Sequence, residues 1–310
     1  MTRLRKAAES YLDLRRRLGF DLRSPAGLLR RFVSFMEEHK AQWITTELAL
    51  RWAKVPADAE PATWARRLSI VRRFARHWSA TDPRTEIPPL GLLPYRYRRR
   101  PPYVYTNAEI LRLIRAAEQL PPIPGLRRWT YRTLLGLLAV SGLRLSEALA
   151  LDQDAVDVSE RMLTIRRAKF GKSRYVPLHP SAIRALHRYA RRRDRFFPIA
   201  QSPAFFVSDR GRRLTQSTIR WTFNKLSRQV GLRGLTDRSG PRLHDFRHRF
   251  AISTLLGWYR AGRNAERLMP LLSTYLGHTH VADTYWYISA VPELLRLAAA
   301  RLERTLGVLP

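Results

Sequence analysis

The sequence of 310 residues contains no cysteine. That excludes disulfides, cysteine-ligated zinc and thiol nucleophiles together, so any covalent chemistry must use another residue type. Lysine is scarce as well: of 57 basic residues only Lys6, Lys40, Lys54, Lys169, Lys172 and Lys225 are not arginine. No uninterrupted apolar run approaches the roughly 20 residues that a membrane-spanning helix needs. The opening stretch MTRLRKAAESYLDLRRRLGF lacks the apolar segment of a secretory signal, so the expectation is a cytoplasmic protein with no membrane partner. Acidic residues are few, 25 against 57 Lys+Arg, which leaves a formal net charge of +32.

What is present is a globular composition, with 45% hydrophobic residues and a length that accommodates two domains, each with its own core. The excess charge therefore lies on a folded surface, where it repels itself unless a polyanion neutralises it. Nucleic acid is the default partner, because its phosphates bind Lys and Arg with counterion release. Codon bias in a GC-rich genome explains the arginine excess as well as phosphate contact does. Charge does not separate the two parts of the chain: residues 1–102 carry +12 and residues 103–310 carry +20. Both parts are expected to touch the polyanion.

The first hundred residues read as helices, with Leu28, Leu29, Phe32, Val33 and Met36 on one face and Trp64, Leu68, Val71, Phe74 and Trp78 repeating the pattern. The run PPLGLLPYRYRRRPPYVY at 88–105 is too rich in proline for a helix interior and reads as a linker. Its Arg96, Arg98, Arg99 and Arg100 suit a DNA backbone or a solvated tether equally. We divide the chain into a helical domain at 1–95, a linker at 96–104 and a second domain at 105–310 that ends in a helix.

In the last of these, Thr106 and Glu109 form a capping box ahead of Ile110-Leu111-Arg112-Leu113-Ile114, and a second helix covers Tyr131–Val140. Met162–Ile165 and Tyr175–Leu178 read as two strands flanking a Lys/Gly segment, with Pro177 pointing to a sheet edge. A helix begins at Ser181, and Phe205-Phe206-Val207 is expected to add a short strand. The fold class is mainly α, a helical domain joined to a mixed α/β domain with a small antiparallel sheet.

Three segments combine unusual residue types: SGLRLSEALAL at 141–151, LHDFRHRFA at 243–251 and LGHTHVADTYWYISAVPELL at 276–295. His244 and Arg247, at i and i+3, share a helix face and suit either an anion or plain solvation. Arg144 follows the Ser141-Gly142 break at the start of a helix, where free backbone N–H groups also favour phosphate. Glu147, at i+3, either orients Arg144 or complements the helix dipole. The histidines at 244, 248, 278 and 280 lack the carboxylate or cysteine spacing of a metal site, and no metal or other cofactor is expected.

Together with AKFGKSRYVPL at 168–178, and with a tyrosine nine residues after His278, these segments resemble the tyrosine recombinase (phage integrase) family in order, spacing and residue type. The resemblance is strong over about 103–310 and looser over 1–95, as a core-binding domain, and it implies DNA binding for the domain at 1–95 and catalysis for the domain at 105–310. It implies a site-specific DNA recombinase or integrase of a mobile element, associated with the bacterial nucleoid, and leaves integration, excision, transposition and dimer resolution open. It implies catalytic Arg144, Lys169, His244, Arg247, His278 and Tyr287, with Glu147 supporting. Tyr287 would bond to a DNA 3′-phosphate, storing the energy for religation without ATP. The guanidiniums would neutralise the phosphoryl oxygens. Lys169 would protonate the leaving 5′-oxygen, with Lys172 its rival and otherwise, with Arg174, a DNA contact. His244 would act as base toward the tyrosine or as a donor to phosphate, and His278 would hold a phosphoryl oxygen. The implied partner is double-stranded DNA, bound by a homotetramer on two sites, with the C-terminal helix docked either on a neighbour or on its own domain. Two alternatives remain open on the sequence: a non-enzymatic DNA-binding regulator and a type IB topoisomerase-like enzyme.

Overall fold

A computed structural model of the chain describes residues 2–95, 101–123, 125–166, 173–237 and 239–305. Arg96, Arg98, Arg99, Arg100, Lys169 and Lys172 lie outside the described residues. The chain divides into two compact units, residues 1–100 and 101–310.

The first unit is built from α1 (Arg3–Arg17), α2 (Arg23–Glu38), α3 (Thr46–Lys54) and α4 (Pro61–Trp78). Both apolar stripes face inward: Leu29, Phe32, Val33, Met36, Leu68, Val71 and Phe74 are buried in one cluster, with Leu28 packed on its margin. Trp64 lies half-buried and its indole N–H donates to the Pro56 carbonyl at 2.8 Å. Arg67 is carried into this core by stacking over Trp52, 3.8 Å from the ring centroid, and by donating to the Trp52 carbonyl at 2.7 Å.

The second unit opens with α5 (Asn107–Ala117). Thr106 Oγ1 accepts from Glu109 N at 3.2 Å, and Glu109 Oε2 accepts from Thr106 N at 2.7 Å, so two orphan donors are satisfied reciprocally. Next comes α6 (Arg127–Ser141), which packs against α5, α8 (Pro180–Phe196) and α10 (Leu243–Arg260) and forms the centre of the main core. The helix stops at Gly142, whose φ of 59° is left-handed, and the short α7 (Leu145–Ala150) starts at once.

A three-stranded antiparallel sheet follows, β1 (Val156–Asp157), β2 (Met162–Ile165) and β3 (Arg174–Pro177), in that spatial order. In the β2–β3 register Leu163 lies opposite Val176 and Thr164 opposite Tyr175. Leu163, Ile165 and Val176 therefore point into the core, while Tyr175 faces solvent. Pro177 sits in the edge strand, where its missing N–H costs no ladder bond.

Phe205-Phe206-Val207, expected to form a strand, joins no named strand among the described residues. The segment is tied by isolated bridges from Asp152 to Ala204 and from Val207 to Arg213. Tyr189 supplies the physical reason: its hydroxyl accepts from Val207 N at 3.2 Å, and its ring packs on Phe205 and Phe206. Phe205 N donates to the Leu151 carbonyl at 2.9 Å, so the apolar run is buried with its backbone satisfied by scattered partners rather than by a ladder.

The remaining helices are α9 (Gln216–Gln229), α11 (Ala265–Leu276), α12 (Ala282–Ala290) and α13 (Pro292–Thr305). α13 packs on α10 and α12 of its own chain, with Leu294 fully buried in the cluster that also holds Tyr287. Leu295 and Leu302 remain exposed. Among the described residues no helix is long and apolar enough to cross a membrane, and no group of three His, Asp or Glu could hold a metal ion.

The turn at Gly142 admits no side chain, since a Cβ there would lie 2.6 Å from Phe250 Cδ1 and the backbone would be held in the left-handed region. We expect Gly142→Ala to lower the unfolding free energy by about 2–4 kcal/mol, combining left-handed strain with overpacking. Urea denaturation of the full chain checks this.

Candidate active site

The C-terminal end of α11 leaves backbone carbonyls without intrahelical partners. Three successive ones are taken by three arginines from three different elements. Arg174 Nε, on β3, donates to the Tyr275 carbonyl at 2.8 Å. Arg247 Nη2, on α10, donates to the Leu276 carbonyl at 2.7 Å. Arg144 Nη2, at the start of α7, donates to the Gly277 carbonyl at 2.9 Å. Arg247 also donates from Nη1 to the Gly142 carbonyl at 2.8 Å, which links the ends of α6 and α11 through one guanidinium.

Gly277 has φ 67°, and a Cβ on it would lie 2.8 Å from Arg174 Nη1. Glycine is thus required both by the backbone and by the arginine beside it. The glycine of the LGH segment has this purpose, and it places His278 directly after the arginine-bound turn.

Glu147 is the counter-ion of the cluster and is almost fully buried. Its Oε1 accepts from Arg144 Nη1 at 2.7 Å, and its two oxygens accept from Arg174 at 3.1 and 2.9 Å. Oε2 also accepts from Arg144 N at 3.0 Å. Burial acts to raise its pKa, but the hydrogen bonds and charges of Arg174 and Arg144 outweigh it and take the pKa down to about 2. Arg174, expected from the sequence to contact DNA, is turned inward here and orients Glu147 and the end of α11.

Arg247 is only 2% exposed. Burial, then the adjacent positive charge of Arg144, push its pKa down to about 10, while Tyr287 and Glu147 act in the opposite direction. His244, one turn earlier on α10, is open to solvent on its outer side. Crowding by protein on its inner side, then the positive charge of Arg247 against partial opposition from Asp245, with Arg242 and Arg144 adding to it, push its pKa down to about 4. The imidazole is neutral at physiological pH.

His244 lines a cavity of about 480 Å³ together with Arg144, Arg220, Arg233, Arg242, Gln216 and Asn224. In a chain with 51 arginines no local signal in the sequence marks Arg220, Arg233 and Arg242 as ones that converge.

Tyr287, on α12, is 2% exposed. Its hydroxyl lies 3.0 Å from Nδ1 of His248, a residue that sequence reasoning left without a role. His278 stacks near Tyr287, with ring centroids 6.5 Å apart, and its Nδ1 lies 2.7 Å from the hydroxyl of the buried Thr284. Tyr285 is 42% exposed and faces away from this cluster's core, so the three aromatics at 285–287 divide cleanly by helix position. Arg144, Glu147, Arg247, His278 and Tyr287 are therefore gathered around the α11 turn, with His244 at the cavity mouth. Lys169 and Lys172 lie outside the described residues.

This geometry accompanies a family match. Residues 104–293 match the model described as the phage integrase family, more than half of the chain. The chain belongs to that family, the tyrosine recombinases, enzymes that break and rejoin DNA strands. Among its relatives is the Sinorhizobium fredii protein y4rB, named for an integrase/recombinase, 52% identical over 308 residues and 98% of both chains. The tyrosine recombinase XerD of Caulobacter vibrioides is 32% identical over 281 residues, covering 89% of this chain and 86% of that one. Similar folds are the Tn1549 transposon integrase in complex with transposon right end DNA (TM-score 0.64, 16% identity, 98% of this chain and 99% of that chain) and XerH recombinase bound to difH DNA (TM-score 0.64, 18% identity, 90% and 78%).

Because the Glu147 pKa falls from 4.5 to about 2 on folding, its ionised form stabilises the fold fully above pH 4.5, and that contribution is lost as pH falls toward 2. We expect Glu147→Gln to cost about 3 kcal/mol at pH 7, the low end for breaking a buried pair. The variant should also lose part of the wild-type acid slope between pH 4.5 and 2, as measured by thermal melts across that range.

Proposed function

We propose that this protein is a site-specific recombinase that cleaves and rejoins duplex DNA through a covalent 3′-phosphotyrosine at Tyr287, in the service of a mobile element. The observation that carries the reading is the convergence of Tyr287, His278, Arg144 and Arg247 on the single turn that ends α11. Attack on a phosphodiester is accelerated when the charge growing on its oxygens is met by preorganised donors. Two permanently charged, planar guanidiniums meet that need beside a phenol. The name of y4rB supports the integrase or recombinase assignment.

In the proposed reaction Tyr287 Oη bonds to phosphorus and the 5′-oxygen leaves with a proton. Lys169 is the donor we assign, because a lysine gives up its proton more readily than an arginine. Lys172 then contacts the DNA backbone, as do Arg96, Arg98, Arg99 and Arg100. His244, neutral and at the cavity mouth, donates to a phosphoryl oxygen, and His278 holds another. The domain at 1–95 is assigned to DNA binding, with its own excess of positive charge. The working assembly is four copies on two sites; α13 leaves Leu295 and Leu302 open to a neighbouring copy even while it packs on its own unit.

Tyr287→Phe is expected to retain DNA binding in a gel-shift assay and to lose the covalent protein–DNA adduct; an undiminished adduct rejects Tyr287 as the nucleophile. Lys169→Ala should slow cleavage of ordinary DNA about a hundredfold or more and recover on a substrate with a 5′-thiol leaving group. Failure to recover argues against the acid role.

A further inference from the structure

Attack by a phenol requires that its proton go somewhere, and the motif residues leave that acceptor open between His244 and another group. The contacts in the folded unit separate the two histidines of α10. His248 is 5% exposed, and its Nδ1 lies 3.0 Å from the Tyr287 hydroxyl, at hydrogen-bond distance. Its ring is fixed on one side by Trp286 and Tyr287 of α12, at centroid distances of 5.6 and 5.5 Å, and on the other by the edge of His244 at 4.6 Å. His244 itself is open to solvent and faces the cationic cavity.

We infer that His248, rather than His244, accepts the phenolic proton of Tyr287, and is a catalytic residue of this enzyme. The inference rests on the proposal that Tyr287 is the nucleophile. With its own proton on Nε2, a neutral imidazole presents the Nδ1 lone pair to the hydroxyl. During cleavage the Oη–P bond forms, the P–O5′ bond breaks, the Oη proton passes to His248 Nδ1, and the 5′-oxygen takes its proton from the general acid. Religation reverses every transfer, with the His248 imidazolium returning its proton as Oη leaves phosphorus. The two groups differ by about 3.5 units in ordinary pKa, so the transfer is uphill by itself and must accompany bond formation.

The test uses the full chain and a nicked suicide duplex made from DNA flanking the coding sequence, and follows the rate of adduct formation. His248→Ala is expected to slow the adduct about a hundredfold with DNA binding intact. Part of that loss should return with added imidazole, or when position 287 carries a fluorinated tyrosine, whose more acidic phenol has less need of a base. If His248→Ala does not fold by circular dichroism, His248→Gln, closer in volume, takes its place in the same measurements. An unchanged rate overturns the inference, and so does a loss that neither imidazole nor the acidic phenol restores. A faster rate overturns it too, and would instead make the contact a latch on the nucleophile. The parent proposal fails separately: an adduct that survives Tyr287→Phe rejects the nucleophile, whereas loss in Tyr287→Phe with an unaltered His248→Ala rejects only the proton acceptor.

Discussion

The unsatisfied carbonyls at the end of α11 are the constraint on which the rest of the site depends. A helix C-terminus carries partial negative charge, and here it collects a guanidinium on each of three successive carbonyls, from β3, α10 and α7. Those elements are distant in sequence, so the turn fixes the sheet, the long helix and the short helix after Gly142 relative to one another. Carbonyl dipoles alone do not balance three cations, and Glu147 supplies a full negative charge, held ionised by Arg174 and Arg144. The cluster keeps a surplus of positive charge. Burial first, and then the positive charge of Arg144, push the pKa of Arg247 down to about 10. Such electrostatic tension is relieved when an anion arrives, and most of all when negative charge grows in a transition state.

Tyr287, the proposed nucleophile, belongs to a different cluster from the one that forms the main core. Tyr287 is buried with Leu294 of α13 and with residues of α10 and α11. The tyrosine, the histidines and the C-terminal helix thus share one packing unit, and a shift of α13 would be felt at the hydroxyl through buried side chains rather than through a loop. One face of α10 carries three of the residues at the site, spaced at i, i+3 and i+4. Arg247 faces the α11 turn, His244 faces the cavity and His248 faces α12.

Much of this was legible in the sequence because it is written in local pattern. The apolar stripes at 28–36 and 64–78, the capping box at Thr106, the edge proline at 177 and the helix break at Gly142 each follow from spacing or from backbone chemistry over a few residues. The resemblance carried by SGLRLSEALAL, LHDFRHRFA and LGH with its following tyrosine led to a family that the comparisons show. Phe205-Phe206-Val207 forms no ladder, and the sequence does not reveal it, because a buried apolar run looks the same whether a strand or scattered loop and side-chain partners satisfy its backbone.

The amino-acid order by itself determined the helical character, the small sheet, the absence of thiol chemistry and the residue types available for attacking a phosphate. Only the tertiary structure decided which of many arginines matter and in what capacity. It turned Arg174 inward onto Glu147 and the Tyr275 carbonyl, and it brought Arg220, Arg233 and Arg242 to one cavity. It also set His248 against Tyr287, across 39 residues. The reason is physical: periodicity and capping are settled within a turn or two of chain, whereas a guanidinium's partner is whichever orphan carbonyl or carboxylate the packing of distant helices leaves within reach.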